Sequence, residues 1–265
     1  MLGRDSHYGA KNRSTAASSI SLREHLREAP FALAMSSGFF AFFAHTGFLT
    51  VLEDEGLLPS RVSGSSAGAL VTGAWAAGLG APELARELEA LERRDFWDPG
   101  MGIGLLRGRL FQERLERLLP VRGFDACRVP AAVSVFDVRS RKTQVLVSGD
   151  LATAIRASCA VPLLFHPVAI EGRSYLDGGI LDRPGLVGMP ASESRVLFHH
   201  IGSKSAWRSK LEVPRRPGMI TVVLDGLPRS GPFRLEAGRQ AFRAARAAMK
   251  RALDEKIHDG LVISA

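Results

Sequence analysis

From Phe31 onward the chain alternates between two hydrophobic patterns. Short apolar and β-branched runs bounded by turn residues read as strands over Phe31–Ser36, Arg61–Gly64, Ala131–Val138, Thr143–Val147, Arg195–His200 and Ile220–Leu224. Between them the spacing of apolar positions predicts helices over Ala44–Glu55, Ala67–Ala77, Pro82–Arg93, Arg109–Leu119, Leu151–Ser158 and Leu235–Asp254. That alternation implies an α/β sandwich with a largely parallel sheet. Residues 1–28 carry Arg4, Lys11, Arg13, Ser18, Ser19 and Arg23 with little apolar periodicity. They read as a basic, Ser-rich tail with a short helix near Leu22 to Leu26, ahead of one domain over residues 29–265. An organellar transit peptide is the other reading of this start, and Asp5, Glu24 and Glu28 weigh against it.

One strand-to-helix junction carries chemistry. Gly64-Ser65-Ser66-Ala67-Gly68 lies between a predicted strand and a predicted helix. A serine there is held in a strained backbone that projects its Oγ, the flanking glycines leave room for strand and helix to approach, and the helix N-terminus favours oxyanion character. Gly-x-Ser-x-Gly alone is a weak signal, expected by chance in roughly one chain in four of this composition. The strand before and the helix after give it weight. Ser66 is the candidate nucleophile and Ser65 a packing residue.

Far downstream, Asp177-Gly178-Gly179 supplies a carboxylate on a tight loop, 177 − 66 = 111 residues from the serine. An aspartate with an ordinary pKa of about 4 is a weak base for a hydroxyl, but it serves where water is excluded and the proton lies in a short hydrogen bond. A turn aspartate bonded to its own backbone is the plainer reading. A Ser-His-Asp enzyme is the competing catalytic arrangement, with His199, His200 and His258 following the acid in the chain.

Composition narrows the class. A length of 265 residues with 46% hydrophobic residues suits one domain with a sizeable core. Cys127 and Cys159 lack metal-ligand or redox spacing, so neither a disulfide, a metal nor another cofactor is expected, and a cytoplasmic setting is the simpler one. No start segment has the apolar core of a secretory signal, and the longest apolar run, Ala67 to Ala81, is too short to span a bilayer. The net charge of +8 comes from scattered residues without a nucleic-acid motif. Its expected partner is an anionic membrane surface met peripherally; a solvated arginine-rich surface is the alternative. The last helix sharpens that choice, because Arg239, Arg243, Arg246 and Lys250 form a stripe beside the apolar face of Leu235, Phe242, Ala245, Met249 and Leu253.

Four blocks together resemble the patatin-like phospholipase family, in order and over most of Phe31 to Asp254. They are Ala34 to Leu49, Gly64 to Gly68, Gly149 to Pro162 (Gly149-Asp150-Leu151, then Ala154 to Pro162) and Gly172 to Gly179. The resemblance implies a three-layer α/β/α patatin-like sandwich with a largely parallel central sheet. It also implies a Ser66–Asp177 dyad that hydrolyses fatty acyl esters, of phospholipase A or lysophospholipase type, without a metal. Gly64 and Gly68 then form the nucleophile elbow, Gly178 and Gly179 the acid loop, and the backbone N–H groups of Gly38 and Phe39 the oxyanion hole. The chain departs from the pattern there: Ser37-Gly38-Phe39 stands for three glycines, Ala41 for an arginine and Phe42 for a further glycine. A phenylalanine resists positive φ, so this loop is the weak point of the match. A weak or inactive lipid-binding homologue is the alternative to an active hydrolase. Phe39, Phe40, Phe42 and Phe43 form either an acyl-chain wall or core, residues 96–106 either an apolar lid or a packed connector, and His45 a packing or capping residue.

Overall fold

The computed structural model describes residues 20–202 and 213–264; residues 1–19 of the expected tail lie outside the described residues. In chain order the elements are α1 Leu22–Glu28, β1 Ala32–Met35, α2 Phe42–Asp54, β2 Arg61–Ser65, α3 Ala67–Ala76, α4 Ala81–Glu89, α5 Arg109–Leu118 and β3 Ala131–Asp137. They continue as β4 Lys142–Leu146, α6 Leu151–Ser158, β5 Val168–Ile170, β6 Arg173–Asp177, β7 Val196–His200, β8 Met219–Leu224, α7 Leu235–Ala252 and β9 Leu261–Ser264.

β1 sits in the middle of the sheet, parallel to β2 on one side and to β7 on the other. Beyond β7 lie β8 and β9, and beyond β2 lies β3, all parallel. Antiparallel β4, β6 and β5 complete the β3 end. Strands covered on both faces need apolar residues at every position, and β1, β7 and β8 are buried throughout. Leu33 and Met35 of β1 join the large core under α2, α3 and α7, with Phe48 and Trp75 among its largest side chains. Ala32 and Ala34 face the other way, into a smaller cluster with Phe198, Met219, Leu186 and Met189. The architecture is the three-layer α/β/α fold with a mostly parallel central sheet.

The sheet also decides what meets what. β4 pairs with Val133 through Asp137 on one edge of β3. The other edge is shared end to end, because β2 takes its first half up to Ser65↔Ser134 and β6 its second half from Val135↔Asp177. The carboxyl ends of β2 and β6 are thereby brought onto adjacent residues of β3.

Differences from the sequence-based expectation have local causes. β5, of three residues, and the edge strand β9, where Leu261 and Ile263 are not buried, each offer a run of apolar residues too short to separate a strand from a loop by pattern. α4 ends at Glu89 rather than Arg93, because Arg239 of α7 donates to the carbonyls of Glu89 and Leu91 and takes over acceptors that a longer helix would use. The chain then forms a separate turn over Arg93–Asp95, closed by the Glu92 N–H on Asp95 at 2.8 Å. The short helix expected near Leu22 to Leu26 is α1, which starts on a Ser21–Glu24 capping box and buries Leu22 and Leu26.

α2 and α7 pack closely enough that a Cβ on Gly47 would fall 2.4 Å from the Phe242 carbonyl oxygen. Gly47→Ala is therefore expected to lower unfolding stability by about 1–3 kcal/mol in a urea titration. An unchanged midpoint would show that the two helices are free to move apart.

Candidate active site

Ser66 follows β2 directly and opens α3, with φ +52° and ψ −120°, a conformation an L-residue adopts only when its surroundings impose it. Those surroundings are close. A Cβ on Gly68 would fall 2.1 Å from the Met35 carbonyl oxygen, so only glycine lets α3 sit against β1. Gly64, the last residue but one of β2, lies against the same helix, and Ser65 is buried there. The Ser66 N–H donates to Ser158 Oγ at 2.8 Å, and Ser158 donates onward to the Ser134 carbonyl at 2.7 Å. Ser158 thus ties the Ser66 turn to β3.

The shared edge of β3 delivers the carboxylate. The Ser66 hydroxyl donates to Asp177 Oδ2 at 2.6 Å, and the Gly179 N–H donates to Oδ1 at 2.8 Å. Gly178 and Gly179 open a tight turn, Gly178–Ile180, that folds back onto the aspartate. Burial pushes the Asp177 carboxyl up from 3.8 to about 6, against the pull of the Ser66 and Gly179 hydrogen bonds. A second buried carboxylate, Asp182, accepts from Ser134 Oγ and from the N–H groups of Gly185, Leu186 and Val187, fixing the chain that leaves the site.

Gly38 and Phe39 share the wall of one cavity with Ser66. The loop that carries them is anchored at its ends: Ser37 N–H donates to the Arg183 carbonyl, Ile201 N–H to Ser36 Oγ, and Ala41 N–H to the Gly38 carbonyl. The positive φ falls on Phe40, at +55°, and not on Phe39. Phe40 tolerates it because its ring packs between Phe39, Phe42 and Phe96, while Ser230 Oγ donates to its carbonyl. Among the described residues the N–H groups of Gly38 and Phe39 donate to no protein acceptor.

A buried histidine pair props this loop from below. His45 Nε2 lies 2.8 Å from the Ser36 carbonyl, so it carries the proton and donates. Its Nδ1 is then an acceptor, and His199 Nδ1, 2.9 Å away, must donate to it. Burial pushes His45 down to about 4 and His199 well below its ordinary value, so both rings stay neutral. His45 therefore does more than pack: it bonds the strand end from which the loop springs. His199 is committed to His45 and stacked on Phe48, and among the described residues no histidine hydrogen-bonds Ser66 or Asp177.

The cavity beside Ser66, of about 120 Å³, is walled almost wholly by apolar side chains. Phe39, Phe40 and Phe42 line it, whereas Phe43 turns into the core against Gly238 of α7. Cys159 borders it next to Ser66, and neither Cys159 nor Cys127 is in a disulfide. In residues 96–106, Phe96 and Leu106 are buried while Met101, Ile103 and Leu105 are exposed. On α7, Arg239 and Arg243 pair with Glu236 and Arg246 with Asp54. Sequence reasoning missed the supporting roles of Ser158, His199 and Asp182. Ser158 stood inside a recognised block, but a hydroxyl that bridges two backbones has no spacing signature.

The mostly parallel α/β sheet thus presents Ser66 at a strand-to-helix turn, hydrogen-bonded to a buried aspartate. A family profile described as Patatin-like phospholipase matches residues 33–187, more than half of the chain, and the chain belongs to that family. An uncharacterized NTE family protein of Mycobacterium tuberculosis is 32% identical over 155 residues, which is 57% of this chain and 43% of that protein. The uncharacterized protein YqhO of Bacillus subtilis is 23% identical over 172 residues, 52% of this chain and 59% of its own. The chain thus spans about half the length of the curated relatives it matches. Among solved structures, VipD from Legionella pneumophila shares the fold with a TM-score of 0.59 at 15% identity, over 85% of this chain and 67% of its own.

The raised Asp177 pKa has a stability consequence. A carboxyl whose folded pKa exceeds its unfolded one favours folding most at low pH, and that contribution is lost as pH rises from about 4 to 6. At about 1.4 kcal/mol per pKa unit the loss is about 3 kcal/mol. Asp177→Asn removes the charge, so it is expected to be more stable than wild type at about pH 8 and no more stable at about pH 4. Chemical denaturation at both pH values checks this; an Asn variant less stable at both would contradict the burial argument.

Proposed function

We propose that this protein is a serine hydrolase of acyl-lipid carboxylic esters, working through a Ser66–Asp177 dyad. The observation that carries the reading is the 2.6 Å hydrogen bond from a strained serine to a buried carboxylate at the wall of an apolar cavity. Family membership supports the same chemistry.

The geometry supports the following cycle. Ser66 Oγ attacks the ester carbonyl carbon as its proton passes to Asp177 Oδ2. The oxyanion is met by the N–H groups of Gly38 and Phe39, with the α3 N-terminus adding partial positive charge. Collapse expels the alcohol, which takes the proton from Asp177. Water then gives a proton to Asp177 and attacks the acyl-Ser66 ester; the fatty acid leaves as Asp177 returns that proton to Ser66 Oγ. The apolar wall of Phe39, Phe40 and Phe42 accommodates the acyl chain. No main-chain donor depends on the absent family arginine, so a backbone-only hole suffices for this cycle.

Turnover of p-nitrophenyl esters is the test. Ser66→Ala and Asp177→Asn are each expected to lower kcat/KM at least about a thousandfold, while His200→Asn and His258→Asn retain most activity. In wild type, kcat/KM should rise with pH to a plateau above about 6, because the base must be ionised. Folded wild type without turnover would favour the lipid-binding reading; activity that survives in Ser66→Ala would mean a different nucleophile.

A further inference from the structure

Among the described residues, the four most exposed large hydrophobic side chains are Met101 at 97%, Leu163 at 80%, Ile103 at 78% and Phe233 at 68%. They come from three segments far apart in sequence, yet each is joined to the wall of the cavity beside Ser66 or to a chain neighbour of that wall. The Leu105 N–H donates to the Leu163 carbonyl and the Leu106 N–H to that of Leu164, which joins residues 101–106 to the cavity wall at Leu164 and Phe165. The Phe233 ring packs edge-on against Trp97, the neighbour of the wall residue Phe96. Phe39, itself more than half exposed, closes the circuit next to Gly231. Leu163 is held outward at φ +67°, in a backbone region a leucine does not choose. Exposed apolar surface of this extent, gathered in one place, costs solubility unless something covers it.

The charge around the ring indicates what does. Arg93 lies over the Phe233 and Trp97 rings, Arg107 follows Leu106, and Arg234 follows Phe233. Each of these arginines is exposed, and none has a carboxylate within ion-pair distance among the described residues. The α7 stripe, by contrast, has three of its four cations paired with carboxylates. Unpaired guanidinium groups around an apolar ring match the boundary between anionic headgroups and acyl chains.

We propose that this ring (Phe39, Met101, Ile103, Leu105, Leu163 and Phe233) docks the protein on the surface of an anionic lipid aggregate. Its apolar side chains enter the acyl layer and Arg93, Arg107 and Arg234 meet the headgroups. The cavity mouth then opens into the lipid, and an acyl chain reaches Ser66 without crossing water. The docking explains how the reaction proposed above would reach its substrate, but the contact itself needs no turnover.

Vesicle sedimentation with the Ser66→Ala protein separates the two. It is expected to bind phosphatidylcholine–phosphatidylglycerol vesicles. A Met101→Ser, Ile103→Ser, Leu163→Ser triple variant should bind at least about tenfold more weakly, as three buried apolar side chains are removed from the contact. An Arg93→Gln, Arg107→Gln, Arg234→Gln variant should lose affinity for those vesicles but not for phosphatidylcholine alone. In the Ser66-intact background the serine triple variant should turn over a soluble p-nitrophenyl acetate ester as wild type does, which shows that it is folded. Vesicle binding equal in the triple variant and its parent would overturn the proposal, as would no binding by the parent. A parent that is dimeric in light scattering and made monomeric by the serine substitutions would overturn it too, since a second copy would then cover the ring. Binding without any ester turnover in wild type would leave the docking standing and remove the hydrolase reading.

Discussion

Everything at the site depends on β3 offering one edge to two strands. Ser134 pairs with Ser65 and Val135 with Asp177, so a parallel strand and an antiparallel strand end on neighbouring residues of a third. Without that arrangement, residues 66 and 177 would have no reason to meet. Ser158 reinforces it by linking the Ser66 backbone to the Ser134 carbonyl, and the Ala160 carbonyl accepts the Asp177 N–H. The hydrogen bond between Ser66 and Asp177 is thus inherited from sheet register rather than from a flexible loop finding its target.

The same arrangement carries an energetic conflict. In the proposed dyad Asp177 serves as a base only if it is dry enough for its charge to be reactive, and that dryness pushes its pKa up. Among the described residues two donors, the Ser66 hydroxyl and the Gly179 N–H, hold the charged form in place. The strained φ angles of Ser66 and Phe40 belong to the same pattern of local cost supported by dense packing. Around Phe40 the support is aromatic; beneath Ser36 it is a neutral histidine pair whose only consistent proton order runs from His199 through His45 to a carbonyl.

Much of this was legible in the sequence, for identifiable reasons. Buried parallel strands produce continuous apolar runs, so β1, β7 and β8 announce themselves, and the elbow motif is read from glycines flanking a serine between a strand and a helix. β5 and β9 were not legible, because their apolar runs are too short to distinguish a strand from a loop. The loop that carries Gly38 and Phe39 was legible as a departure from the family pattern but not as a shape: positive φ was a concern at Phe39, and the structure puts it at Phe40, where three neighbouring rings absorb it. Of the four phenylalanines, Phe39 and Phe40 of the loop and Phe42 at the start of α2 line the cavity, while Phe43 turns toward α7. His199 read as a candidate general base from its place at a strand end, yet its ring points into a partner that only tertiary structure supplies.

The most direct measurement is covalent labelling by a fluorophosphonate, followed by mass spectrometry of the digested protein. A serine made nucleophilic by a buried carboxylate should give one adduct, on the peptide carrying Ser66, with a labelling rate that climbs with pH toward a plateau above about 6 and collapses in Asp177→Asn. Labelling of folded protein at another serine, or a Ser66 adduct formed equally fast in Asp177→Asn, would contradict the dyad.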